Sequence, residues 1–145
     1  MTYINFSSEN DKYWIELDSK GLAIRQIVLS DGCYHISALE DCLAEGIIVP
    51  EDLDADVIYL SGDEFEQVWE NSLKKYRKEW DFTKQKYKIG SLITAELVFY
   101  YPQGPIFKID NSLIKYVGNR EVQLHEKTRM EIVGYDDTDM WIIAQ

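Results

Sequence analysis

The chain has 145 residues, 46% hydrophobic and 13% aromatic, with a formal net charge of −11 and two cysteines. A chain of this length buries roughly 70% of the surface its unfolded form exposes, so neither a metal nor a disulfide framework is required to hold a core. No apolar run approaches the roughly 20 residues that span a bilayer, and MTYINFSSENDKYW lacks a basic leader followed by an apolar stretch, so a soluble cytoplasmic protein with reduced thiols and no membrane partner is expected.

In the first half, the apolar runs YWIEL and AIRQIVLS are separated by the turn-prone DSKG, and a DG pair at 31–32 precedes CYHIS. This reads as a three-stranded antiparallel meander. ALEDCLAEG fits either a short helix ending at Gly46 or an ordered loop, and VIYLS is a further strand. Ser61 then stands three residues before Glu64, the capping-box spacing, and Phe65, Val68, Trp69, Leu73, Tyr76 and Trp80 recur on a helical stripe, which predicts an amphipathic helix over about 62–80. Acidic residues in its first turn and basic ones in its last complement the helix dipole.

From residue 89 the pattern changes to strands alone: IGSLITAELVFYY, a PQGP turn, IFKID, LIKYV, TRMEIVGY, a DDTD turn and MWIIA. Five strands without a long helix point to a small closed or nearly closed barrel. Charge divides the chain in the same place. Residues 1–83 carry 18 acidic and 7 basic side chains, a net −11, whereas residues 84–145 carry 8 of each. The basic seam KKYRKEWDFTKQKYK (74–88) lies between them, and the boundary is placed there: an acidic α+β domain at 1–83 and a β-barrel domain at 84–145.

The acidic stretch PEDLDADVIYLSGDEFE (50–66) has no basic residue. An EF-hand loop starting at Asp52 would need glycine at its sixth position and a bidentate glutamate at its twelfth; Val57 and Asp63 stand there, and VIYL reads as a strand. Cys33, His35, Cys42 and His125 match no structural zinc spacing. LHEKTR (124–129) begins like a zinc-protease helix but carries Arg129 where the second histidine belongs. Nucleophile elbows and phosphate-binding glycine loops are absent from the sequence, so no metal, cofactor or catalytic residue is assigned.

Ile89, Gly90, Leu92, Ile93, Ala95 and Leu97, followed by GPIF (104–107) and by MEIVGYDDTDMWII with Asp136 at its turn, resemble the RNA-binding barrel of ribosomal protein S-one type over residues 89–144. The resemblance implies an OB-like five-stranded barrel after the antiparallel sheet and helix of the α+β unit; the fold is carried over, RNA binding is not. Gln103 and Ile106 occupy positions where that family commonly presents aromatic faces to bases. Phe99, Tyr100 and Tyr101 are the neighbouring aromatics that could substitute, with Lys108, Lys115, Arg120, Lys127 and Arg129 supplying charge. No family is recognised in residues 1–83.

Three functional classes follow. The first is a non-catalytic binding protein whose barrel engages RNA or a protein partner. The second is an acidic inhibitor or immunity-type protein that grips a basic nuclease or toxin through Glu51, Asp52, Asp54, Asp56, Asp63 and Glu64, since complementary charge raises association rate and specificity. The third is a small hydrolase with an unfamiliar carboxylate site.

Overall fold

Glu9 and Asn10 both adopt positive φ (52° and 72°), the geometry of a tight two-residue turn between β1 (Thr2–Ser8) and β2 (Asp11–Leu17). Asp31 and Gly32 do the same (50° and 75°) between β3 (Ala23–Ser30) and β4 (Cys33–Ile36), as the DG pair predicts. The computed structural model describes all 145 residues, and they divide into two compact units, Met1–Lys75 and Tyr76–Gln145.

In the first unit the expected meander is β2 to β4. It is extended by β1 and by the short β5 (Ile58–Leu60), giving an antiparallel sheet in the order β4-β3-β2-β1-β5. Strand register sorts the side chains of one face into rows. Tyr3, Glu16 and Arg25 form the first, Asn5, Trp14, Ile27 and Ile36 the second, and Ser7, Lys12, Leu29 and Tyr34 the third.

Helix α1 (Gly62–Leu73) packs on this face through Phe65, Trp69 and Leu73, spaced four apart and all buried. Each such side chain contributes on the order of 1.5–3 kcal/mol by leaving water. The Ser61 capping box forms as the sequence predicts, with Ser61 Oγ accepting from the Glu64 amide at 3.1 Å and Glu64 Oε1 accepting from the Ser61 amide at 2.9 Å. On the opposite face, where Ile4, Ile15 and Leu17 are buried, the Gln26 side chain holds the following segment. Its amide donates to the Cys42 carbonyl at 2.7 Å and its oxygen accepts from the Ala44 amide at 2.9 Å. ALEDCLAEG is therefore a clamped loop and contains no helix.

The helical run does not continue unbroken to residue 80. It passes through a 3-10 turn at Lys74–Tyr76 and resumes as α2 (Arg77–Lys86). The division between the units falls within that turn, so α2 belongs to the second unit and the boundary lies ahead of the expected 83/84. Trp80 gives the physical reason. It is buried edge-on against Tyr135 at 5.9 Å and donates its indole N–H to Asp137 at 2.7 Å.

The second unit is the OB-like barrel. β6 (Leu92–Tyr101), β7 (Gly104–Ile109), β8 (Ser112–Tyr116), β9 (Lys127–Asp136) and β10 (Trp141–Ala144) close in the order β10-β8-β7-β6-β9, with β8 and β10 parallel and the other pairs antiparallel. Leu97, Phe107, Ile114 and Ile142 stand in register around its interior and are fully buried. A register shift between Leu97 and Phe99 marks a bulge that bends β6 around the barrel. No helix is long and apolar enough to cross a membrane.

Candidate functional site

The barrel carries a cleft of about 650 Å³ between the β6–β7 hairpin and the segment 117–126 that follows β8. Its walls include Tyr100, Pro105, Tyr116, Arg120, Val122 and Glu126. Two backbone bonds pin the segment to β6: the His125 amide donates to the Leu97 carbonyl at 2.8 Å and the Leu97 amide to the Glu126 carbonyl at 3.1 Å. Tyr100 donates its hydroxyl to the Val122 carbonyl at 3.2 Å. The Tyr116 hydroxyl accepts from the Arg120 Nε–H at 3.2 Å, and Arg120 Nη2 donates to the Arg129 carbonyl at 2.5 Å. Gly118 is required here, because a Cβ at that position would run into the Tyr116 hydroxyl.

Of the aromatics and cations proposed from sequence, only Tyr100 and Arg120 line the cleft. Tyr100 is 58% exposed and lines the cleft. Tyr101 is only 6% exposed, packed against Phe99 at 4.8 Å and Trp141 at 6.0 Å, so it cannot offer a face to a base, and Phe99 is half-buried in the same cluster. Alternation along β6 is the reason, since Tyr101 continues the inward series Ile93, Ala95 and Leu97 while Tyr100 falls on the outward one. Lys108 pairs in register with Glu96, and Lys115 with Ile106 and Ile143. Arg129 lies opposite Thr94 on β9 and reaches the cleft's edge only through its carbonyl oxygen, which accepts from Arg120. Arg120 is the cation of the cleft, and Glu121 and Glu126 offset it.

All six carboxylates of the proposed acidic surface are exposed. Glu51 and Asp52 sit in a 3-10 turn (Pro50–Asp52), Asp54 and Asp56 in the loop before β5, and Asp63 and Glu64 in the first turn of α1. Glu64 is committed to the capping box, whose Ser61 amide holds its carboxyl below the usual range. Glu51 accepts from the Tyr59 hydroxyl at 2.9 Å, a bond that raises the pKa of that phenol. None of the six takes part in an ion pair.

One charged cluster escapes sequence reasoning altogether. Arg25, buried beneath α1, donates to Glu16 at 2.6 Å and forms a forked pair with Glu66, and its guanidinium lies 5.0 Å and 5.1 Å from the Phe65 and Trp69 ring centres. Burial opposes the charge, yet the hydrogen bonds from the Glu66 and Glu16 carboxylates outweigh it and hold the pKa of Arg25 above its ordinary value. Nothing local in the sequence marks these residues, because Glu66 lies 41 positions from Arg25.

Both thiols are free. Cys33 is exposed, and burial pushes the Cys42 thiol up to about 12. His35 Nδ1 lies 2.7 Å from Glu40 Oε1, and no group of three or more His, Cys, Asp or Glu side chains is arranged to hold a metal ion. No family model, no curated protein and no solved structure matches this chain.

Proposed function

We propose that this protein is a non-catalytic binding protein whose barrel takes up a short segment of single-stranded RNA in the cleft beside Tyr100. The observation that carries the reading is the pairing of an exposed aromatic face, Tyr100, with the Arg120 guanidinium across one cleft of an OB-like barrel. Barrels of this architecture use a strand face and its flanking loops to bind oligonucleotides. The resemblance of residues 89–144 to the S-one type barrel belongs to the same proposal.

The proposed binding is weak. Residues 76–145 carry 10 acidic and 10 basic side chains, so there is no net field to gather phosphates. One base stacked on Tyr100 contributes on the order of 1–3 kcal/mol, and one phosphate on Arg120 gives a salt slope of only about −0.7. Anisotropy of a labelled mixed-sequence RNA of about eight nucleotides, titrated with the full chain over a salt series, tests this. Expected is a Kd near 10⁻⁴ M at low salt, raised about tenfold by Tyr100→Ala. Absence of binding at ~1 mM protein, or indifference to Tyr100→Ala, overturns it.

A specific observation favours a second reading, an inhibitor-type protein with a basic protein partner. The carboxylates at 51–56, none of them in an ion pair, flank the edge strand β5, whose Ile58 and Tyr59 are both more than half exposed. Charge-neutral replacement of Asp52, Asp54 and Asp56 should then abolish co-elution with the basic partner, and undiminished co-elution excludes this surface.

A further inference from the structure

We propose that the first unit binds small planar aromatic anions in a cleft between its sheet and the C-terminal half of α1. This cleft is separate from the one in the barrel and has a volume of about 600 Å³, within the range typical of ligand sites. It is lined by Trp14 and Tyr34 from the sheet and by Val68, Asn71, Ser72, Lys74 and Lys75 from the helix and its end.

The cleft follows from the register of the sheet. Trp14 stands in the second row of the helix-facing side and Tyr34 in the third, beside Leu29 and Lys12. Phe65, Trp69 and Leu73 fill the space beneath α1, but the helix leaves Tyr34 51% exposed and Trp14 partly so. Two large rings and Val68 thus frame an apolar slot that a flat ligand would fill, and aromatic faces favour such a ligand through offset or edge-on stacking.

Charge selects the class. The first unit holds 16 acidic residues and only five basic ones, Lys12, Lys20, Arg25, Lys74 and Lys75. Arg25 is sequestered with Glu16 and Glu66. Of the remaining four, Lys74 and Lys75 line the cleft and Lys12 lies 5.2 Å over the Trp14 ring. In a unit of net charge −11, three of these four cations therefore stand around Trp14 and Tyr34. A planar body with one carboxylate, sulfonate or phosphate group matches both features, whereas a cation or a neutral ring matches only one.

Calorimetric titration of the full chain with 2-naphthoate, beside its neutral amide 2-naphthamide, tests the proposal. Expected is saturable one-to-one binding with a Kd of about 0.1–1 mM, about three- to tenfold weaker for the amide. The surface double variant Lys74→Gln, Lys75→Gln should weaken naphthoate binding by a similar factor, and Trp14→Leu should abolish it. Tyr100→Ala, in the barrel, should leave it unchanged. No saturation below ~5 mM, equal affinity for acid and amide, undiminished binding by the lysine variant, or loss on Tyr100→Ala each overturns the assignment. The lysine variant keeps the test decisive if Trp14→Leu fails to fold.

Discussion

Arg25 donates its Nε–H to Glu16 at 2.6 Å from the adjacent strand, and both side chains are more than 90% buried. The pair is closed from above by Glu66 of α1, so one guanidinium joins two strands and a helix. Replacing one member leaves the other as an uncompensated buried charge, whereas replacing both with apolar groups removes the desolvation penalty together with the attraction.

Arg25→Met is accordingly expected to destabilise the first unit by about 3–5 kcal/mol. Adding Glu16→Leu should recover more than half of that loss. Urea unfolding followed by the circular dichroism of the aromatic bands measures both. A double variant no more stable than the single one would show that the network acts through packing of Phe65 and Trp69 instead of through charge.

The α1 cap is a simpler case. Ser61→Ala removes the acceptor for the Glu64 amide and should cost about 1 kcal/mol. Ser61→Asp should restore most of this, since a carboxylate also accepts the bond and complements the helix dipole. Hydrogen exchange of the first-turn amides reports the change where it occurs.

Acid should weaken the second unit through Asp137. Lys84 and then the Trp80 indole hold its carboxyl below the usual range, and Asp110 is lowered likewise by Tyr87 and Lys86. With folded-state values depressed, the unfolded chain binds protons at a higher pH than the native one. The stability these groups contribute is then complete above the ordinary carboxylate value near 3.9 and disappears as pH falls through the lower native values. Asp137→Asn should flatten this dependence, and urea midpoints for the second unit between roughly pH 2 and 6 measure it. Identical slopes for wild type and variant would remove Asp137 from the account.

The two cysteines should separate by reactivity. With the Cys42 thiol pushed up to about 12 by burial and by Glu40 and Asp41, its thiolate is scarce at neutral pH. Iodoacetamide should therefore modify Cys33 first, with Cys42 at least ~10-fold slower than an unperturbed thiol of pKa near 8.5. Peptide mass spectrometry over time distinguishes the sites, and equal labelling would mean that the 37–49 loop opens readily.

Local chemistry made much of the fold legible. Ser61 and Glu64 mark the start of α1 because a capping box needs only a three-residue spacing, Asp31-Gly32 marks a hairpin because both positions require positive φ, and the five barrel strands follow from apolar runs broken by turns. The acidity of the first unit is likewise a property of the chain alone. What only the tertiary structure decided is which surfaces meet. The parallel pairing of β8 with β10, the assignment of α2 to the barrel through Trp80 and Asp137, the packing of Tyr101 on Trp141, and the gathering of Trp14, Tyr34 and Lys74 around one cleft all join residues far apart in the chain. Spacing rules report which face of an element is apolar, but not which distant element covers it, because that choice depends on packing and on register between strands.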